Sequence, residues 1–116
     1  MDILKSNKGQ QEFIAGAYIF SGRPDPEWNV KEEIVIKLEQ IWNSLEIEAG
    51  ERLPAPPLGY RGCYLRYRPD TEWSAYNGVA TKKTAKGHES RVDDNRRIER
   101  LILNSAPEGI LPQGIL

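Results

Sequence analysis

Few side chains in this chain could perform covalent or metal chemistry. Its 116 residues include one cysteine, Cys63, and one histidine, His88. A nucleophilic cysteine needs an electropositive and partly exposed setting, whereas Cys63 lies in an apolar stretch, as a small buried residue would. One cysteine also excludes an internal disulfide and a Cys-rich metal site. We therefore expect a non-catalytic protein that holds no metal and no cofactor.

Carboxylate pairs are the other group that could carry chemistry, because general acid–base catalysis uses such pairs. Three occur along the chain, namely Glu32/Glu33, Glu46/Glu48 and Asp93/Asp94. Adjacent acids on a helix point to different sides, and acids at a helix start are stabilised by the helix dipole. Helix capping and solvation therefore explain these pairs.

The stretch Ser21-Gly22-Arg23-Pro24-Asp25-Pro26-Glu27-Trp28, called motif 1 below, is a stiff part of the chain. Each X-Pro pair keeps the preceding residue out of the helical region. The stretch does not favour phosphate binding, because it has one glycine and its prolines lack amide donors. We expect it to display Arg23, Asp25 and Trp28 outward. Alternatively, Trp28 packs into the next helix as a hydrophobic staple.

A proline-rich connector, 53–57, leads into Leu58-Gly59-Tyr60-Arg61-Gly62, called motif 2 below. Aromatic and arginine side chains such as these anchor protein interfaces, and Arg23 and Arg61 could both donate to carboxylates. An unpaired sheet edge could also accept an extended peptide. The candidate residues for binding a protein or peptide partner are Arg23, Asp25, Trp28, Tyr60, Arg61, Trp73 and Tyr76.

Single-stranded nucleic acid is the alternative partner. Tyrosines and arginines interleave between residues 60 and 68, and a lysine-rich stretch follows. Aromatic stacking combined with phosphate contacts is how proteins hold single strands. The candidate contacts are Arg66, Arg68, Lys82, Lys83 and Lys86. The net charge of −1 and the lack of a ribonucleoprotein-type motif count against this alternative.

The composition is that of one ordinary globular domain, with 39% hydrophobic and 28% charged residues. No apolar run approaches the roughly 18 residues that span a membrane, and residues 1–8 lack the apolar stretch of a secretory signal. We expect a cytoplasmic location without membrane contact. Residues 1–58 carry a net charge of −4 and residues 59–116 a net charge of +3, an asymmetry compatible with a homo-oligomer.

Apolar spacing predicts two helices. The first covers 30–48, with Asn29 as N-cap, Glu32 completing a capping box and Gly50 at its end. Its buried face carries Ile34, Leu38, Ile41, Trp42 and Leu45. The second helix begins near Ser90 or Asp93 and stops at Pro107. Its buried face carries Val92, Ile98, Leu101 and Ile102.

Strands are predicted over 12–21, 62–68 and about 72–79, with Asn77-Gly78 as a bulge or tight turn. Residues 81–88 show no periodicity and are predicted to form a mobile basic loop. The resulting fold is α+β, a two-layer sandwich of a small mixed sheet and two helices. A parallel crossover would join the first two strands and would place motifs 1 and 2 at opposite ends of the sheet, unless the linker folds back.

The predicted domain covers 12–106, between a flexible N-terminus, 1–11, and an apolar tail, 107–116. The first strand is apolar on both of its faces, but the two helices would cover only one face of the sheet. We therefore expect the tail or another chain to cover the second face.

The two motifs resemble a group of small bacterial proteins, common in cyanobacteria, in which Ser-Gly-Arg-Pro-Asn/Asp-Pro-x-Trp is followed by a helix and Leu-Gly-Tyr-Arg-Gly. The resemblance covers 13 residues around the first helix. Some small proteins of this kind are similar to the accessory subunit of radical-SAM spliceases, which excise a tyramine unit from a ribosomally made precursor peptide. The resemblance implies an accessory protein that binds the enzyme, its precursor peptide or both. Any iron–sulfur cluster and S-adenosylmethionine would then belong to the partner.

Overall fold

The computed structural model describes residues 12–19, 25–47, 60–67 and 70–111. Within them, six strands form one sheet in the order β2-β1-β3-β4-β5-β6, and two helices accompany it. The predicted α+β two-layer class is confirmed. In chain order the elements are β1 (Phe13–Ala17), β2 (Glu27–Asn29), α1 (Glu32–Asn43), β3 (Cys63–Tyr67), β4 (Thr71–Tyr76), β5 (Val79–Thr84), β6 (Gly87–Val92), a 3-10 turn (Asp94–Arg96) and α2 (Arg97–Asn104).

The described strand pairs are all antiparallel, so the predicted mixed sheet with a parallel β1–β3 crossover is wrong. The chain turns back after β1 and forms β2 before helix α1 begins. Because β1 is antiparallel to both β2 and β3, those two strands run in the same direction on either side of it. The connection through helix α1 therefore joins β2 to β3. The direction of β3 relative to β1 was predicted wrongly because β2 was not recognised in the sequence.

Helices α1 and α2 pack on the sheet face that carries the hydrophobic core. Leu65 and Trp73 are fully buried beneath them, facing Leu38 of α1 and Ile98 of α2. Small side chains from β1, β3 and β4 let α2 approach the sheet closely, namely Ala15, Ala17, Cys63 and Ala75. Each large core side chain contributes about 1.5–3 kcal/mol through the removal of apolar surface from water.

The opposite face of the sheet, called the open face below, is covered at β1 from within the molecule. The Tyr64 ring lies over Gly16, and a Cβ atom at Gly16 would overlap it. Tyr64 is only 3% exposed as a result. At Gly16 the cover therefore comes from the neighbouring strand, because glycine leaves room for the Tyr64 ring. That the tail or another chain covers the rest of this face stays a prediction.

Helix α1 is shorter than predicted, and its N-cap residue is Lys31, which makes no side-chain cap hydrogen bond. Asn29 instead pairs with Ile14 in the sheet, so the predicted capping box is wrong. The second helix starts at Arg97, later than expected. Asp93 still caps it, because its carboxylate accepts hydrogen bonds from the N–H groups of residues 98 and 99, at 2.8 and 3.0 Å.

Residues 79–92 form a β-hairpin, so the predicted mobile loop over 81–88 is wrong. Only Ala80 of β5 is buried, and the strand therefore lacks the apolar alternation that usually reveals strands. Val92, expected on a buried helix face, lies in β6 and is 38% exposed. The alternative of a tight turn at Asn77-Gly78 is confirmed, since both residues adopt positive φ between β4 and β5.

Part of the predicted tail belongs to the core layer. Ile110 and Leu111 are partly buried against the core cluster, and the N–H of Ile110 donates to the carbonyl of Pro107. Residues 112–116 and the predicted flexible segment 1–11 lie outside the described residues. None of the helices in the described ranges is long and apolar enough to cross a membrane.

Candidate functional site

The antiparallel register brings the two sequence motifs to the same end of the sheet. The N–H of Tyr18 donates to the carbonyl of Gly62 at 2.8 Å, and the N–H of Arg61 donates to the carbonyl of Tyr18 at 2.7 Å. These bonds extend the β1–β3 ladder into motif 2. The predicted separation of the motifs to opposite ends is therefore wrong, because β1 ends where β3 begins.

Motif 1 is tied to the same place through Asp25. Its Oδ1 accepts a hydrogen bond from the N–H of Ile19 at 2.7 Å, and the carbonyl of Pro26 accepts one from the N–H of Ala17. Arg23, another candidate from motif 1, lies outside the described residues. The structure thus joins the described part of motif 1 to motif 2 in one region. We call this region the motif corner and define it by Tyr18, Asp25, Tyr60, Arg61 and Tyr76.

Two of the predicted partner-binding residues are not on the surface. Trp28 is 5% exposed, and its indole N–H donates to the Ser105 hydroxyl at 2.9 Å. Trp73 is fully buried, with its ring 5.3 Å from that of Trp42 in an edge-to-face contact. The expectation that Trp28 is displayed outward is wrong, and the candidate Trp73 does not lie on the surface either, because both indoles face the core beneath the helices.

Tyr60 connects the motif corner to helix α2. Its hydroxyl donates to the carboxylate of Glu99, which is fully buried. The Oε1 atom of Glu99 also accepts a hydrogen bond from Nε of Arg96 at 3.0 Å. The Tyr60 ring lies 5.8 Å from the Tyr76 ring. Burial, with further contributions from Cys63 and Glu99, raises the pKa of Tyr60 well above the usual tyrosine value. Tyr60 is therefore held as a neutral hydrogen-bond donor and is partly buried rather than fully presented.

The backbone before helix α2 is unusual beside this buried carboxylate. Asn95 and Arg96 both adopt left-handed conformations, with φ of 58° and 55°. Such residues are uncommon outside glycine and cost energy, so the surrounding contacts must hold them in place. The Arg96–Glu99 ion pair and the Asp93 cap are the contacts that do so.

Cys63 is fully buried, as predicted for a small interior residue. Burial, followed by the charge of Glu99, raises the pKa of its thiol well above the usual value. The register places His88 on the open face and Cys63 on the helix face. The two side chains therefore do not form a thiol–imidazole pair. Within the described ranges, no three His, Cys, Asp or Glu side chains come together as metal ligands could.

Arg66 is fixed on the open face by two neighbours. Its guanidinium lies 4.8 Å from the centre of the Tyr64 ring and forms a 2.7 Å ion pair with Glu27. The Tyr64 hydroxyl donates to the same carboxylate, and the Tyr18 ring lies 4.9 Å from the Tyr64 ring. Burial, followed by Glu27, raises the pKa of Tyr64 above the usual value. This cluster links the motif corner to the middle of the open face.

The other candidate nucleic-acid contacts do not form one surface. Lys82 lies on the helix face, with its ammonium 5.0 Å from the centre of the Trp73 ring. Lys83 projects from the open face, because it pairs with Glu72 in the register. Lys86 is exposed in the β5–β6 turn. Arg68 lies outside the described residues.

Sequence reasoning missed Glu27, Tyr64 and Glu99, which organise the polar contacts of this region. Glu99 stands three and four residues before Ile102 and Leu103 on the buried face of α2, and this helical spacing was the available signal. Glu27 lies in β2 and Tyr64 in β3, and β1 is the one strand between them in the sheet. The two side chains meet only because of this strand order. No local pattern could have indicated that pairing.

Comparison with known proteins gave no match. No protein-family model matches the chain, and no curated protein or solved structure is significantly similar to it. The functional argument therefore depends on the geometry of the motif corner and the open face.

Proposed function

We infer that this protein is a non-catalytic accessory module that binds a polypeptide partner at the motif corner. The observation that carries the proposal is the hydrogen-bonded junction at the end of β1, where Tyr18 bonds to Arg61 and Gly62 of motif 2 and Ile19 bonds to Asp25 of motif 1. A junction of this kind provides a preorganised surface, and preorganisation lowers the entropic cost of binding.

The side chains at the motif corner suit a polypeptide. Tyr18, Tyr60 and Tyr76 are partly exposed, and tyrosine combines a large apolar area with a polar tip. Arg61 and Asp25 add one cation and one anion to this region. Aromatic and arginine side chains of this type commonly dominate binding energy at interfaces.

Several observations favour polypeptide over single-stranded nucleic acid. The Tyr64 ring is almost fully buried, so it cannot serve as a stacking platform for bases. Lys82 covers the Trp73 ring on the helix face, whereas Lys83 projects from the open face, so the lysines do not form one track. Binding to single strands needs exposed aromatics along a continuous basic track.

The resemblance of the two motifs to small bacterial accessory proteins suggests a more specific partner. In this proposal the partner is a radical-SAM peptide-modifying enzyme, its precursor peptide, or the complex of both. Iron–sulfur and S-adenosylmethionine chemistry would then reside in the enzyme, while this chain would hold or present the peptide.

Capture of the partner from cells that encode the protein provides the test. The tagged full-length chain should retain a stoichiometric polypeptide partner, identified by mass spectrometry. Arg61→Ala and Tyr76→Ala should each lower its occupancy by about tenfold or more, as substitutions at energetically dominant positions do.

The matched control is Lys86→Ala, which removes an exposed side chain from a turn outside the motif corner. It should leave occupancy unchanged. Circular dichroism and thermal unfolding must show that the two test variants remain folded. Full retention of the partner by folded Arg61→Ala and Tyr76→Ala variants would overturn the proposal.

A further inference from the structure

A cavity of about 490 Å³ lies on the open face, at the end of the sheet opposite the motif corner. Four neighbouring strands each contribute a residue to its lining, and each of these residues is paired with the next one across the sheet. They are Ile14 of β1, Arg66 of β3, Glu72 of β4 and Lys83 of β5. Asp70 and Glu12 stand at its rim. This volume lies within the range of known ligand pockets.

Charges of both signs line the cavity. Glu72 lies between Arg66 and Lys83 in the cross-strand row, so the order across the sheet is positive, negative, positive. The carboxylates of Asp70 and Glu12 add negative charge at the rim. A polyanion would meet three carboxylates here, and a simple polycation would meet two cations. A ligand that carries both signs is the better complement.

Arg66 is the preorganised part of the cavity. Its guanidinium is held by the Tyr64 ring and by Glu27, as described above. A guanidinium has five N–H donors, so one ion pair leaves donors for a further carboxylate. A side chain that is already fixed loses little additional entropy when it binds.

Strand β3 connects the cavity to the motif corner. Arg61 and Gly62 stand at one end of that strand, and Arg66 reaches the cavity at the other. Six residues of strand cover about 20 Å. An extended polypeptide of comparable length could therefore contact both regions.

We propose that the cavity is the second contact of the partner-binding surface, and that it receives a polypeptide segment carrying an acidic and a basic side chain two residues apart. This inference rests on the proposed function. In an extended segment, side chains two residues apart lie on the same face, about 6.7 Å from each other. The acidic side chain contacts Arg66, and the basic one contacts Glu72 and Asp70.

The test is a magnetic-resonance titration of the isotope-labelled full chain with acetyl-Glu-Ala-Lys-amide. Saturable shifts are expected at the amides of Ile14, Arg66, Glu72 and Lys83. The two single-charge probes, acetyl-Gln-Ala-Lys-amide and acetyl-Glu-Ala-Gln-amide, should each bind at least about fivefold more weakly, because each lacks one of the two ion pairs.

A charge-swap variant provides the matched control. Combining Glu72→Lys with Lys83→Glu keeps the cross-strand pair and the net charge but changes the sign of the group beside Arg66. It should fold normally and lose the preference for the two-charge probe. The inference is overturned if no saturable shift occurs up to about 10 mM probe, or if the three probes bind equally. It is also overturned if the charge-swap variant keeps the preference.

Failure here can be separated from failure of the proposed function. If the probes do not bind while Arg61→Ala still releases the captured partner, only the cavity assignment is lost. If the probes bind as expected while Arg61→Ala retains the partner, the cavity stands as a peptide site and the motif corner does not.

Discussion

Tyrosine hydroxyls donate to carboxylates at several points of this molecule. Tyr60 donates to Glu99 within the core layer, and Tyr64 donates to Glu27 on the open face. Each pair joins segments that are 37 or more residues apart in the chain. These contacts fix the surroundings of the motif corner from the interior, and each has a measurable consequence.

Removal of the buried Glu99 carboxylate should strongly destabilise the fold. Glu99→Ala leaves the Tyr60 hydroxyl without its acceptor and opens a cavity, so we expect a loss of about 2–4 kcal/mol in the free energy of unfolding. Glu99→Gln retains an acceptor for Tyr60 and should cost less than the alanine variant. Urea unfolding measures both variants, and a Glu99→Ala loss below about 0.5 kcal/mol would contradict this contact.

Alkaline pH should also destabilise the protein. The folded state raises the pKa of Cys63 above its ordinary 9.0 and that of Tyr60 above its ordinary 10.0. The unfolded chain therefore releases these protons first, and the stabilisation present below pH 9 is lost as the pH rises. Unfolding free energies measured between pH 8 and 11 should fall.

The control for this pH dependence is Tyr60→Phe, which removes one of the raised groups. The fall in stability above pH 10 should be shallower in this variant than in the parent protein. An identical slope in both proteins would contradict the assignment. Cys63 and Tyr64 also have a raised pKa, so some decline should remain.

At the scale of elements, the junction of β1 and β3 determines where the motifs lie. Gly16 of β1 and Tyr64 of β3 are register partners, and the ring occupies the space that a side chain on Gly16 would need. This glycine is required by close approach rather than by an unusual backbone angle. The strand register and the open face therefore depend on the same contact.

Gly16→Ala should destabilise the protein by about 1–3 kcal/mol, because the added methyl group overlaps the Tyr64 ring. The same substitution should cost much less in a Tyr64→Ser background, where the ring is absent. Chemical unfolding of the two single variants and the double variant gives the coupling energy. Additive losses would show that the ring does not occupy this space.

Much of the element order could be predicted from the sequence. The apolar spacing of Leu38 and Trp42 correctly identified the buried face of α1, because helical periodicity is a local property. Hairpin β5–β6 was missed since its lysines and threonines show no apolar alternation. The direction of β3 was predicted wrongly because it depends on β2, which has only three residues. Strand β2 includes Trp28, which was expected to face outward rather than to lie in a strand.

The candidate site was less predictable than the fold. Tyr60, Arg61 and Tyr76 were identified from their types, and the structure brings them into one region. Glu27 and Glu99, which hold the neighbouring side chains, belong to separate elements and meet their partners only in the folded state. Their roles follow from strand order, which one sequence without a known fold does not specify.

At the scale of the whole molecule, the motif corner and the cavity lie at opposite ends of strand β3. The motif corner lies where β1 meets motif 2 and reaches helix α2 through Tyr60. The cavity lies at the other end, where the cross-strand row from Ile14 to Lys83 belongs to the open face. The helices pack on the opposite face and bury the core, as is common when one face of an antiparallel sheet packs on the core.

Site-specific photocrosslinking tests the central claim, that the two motifs form one binding surface, most directly. A photoreactive phenylalanine analogue replaces one residue at a time. At Tyr18 it probes the β1 side of the motif corner, and at Tyr76 it probes the β4 side. Lys86 is the control position, remote from the motif corner. We predict that the first two positions capture the same short segment of the same partner and that the third captures none. Crosslinks from Tyr18 and Tyr76 to unrelated proteins, or capture only at Lys86, would contradict the account.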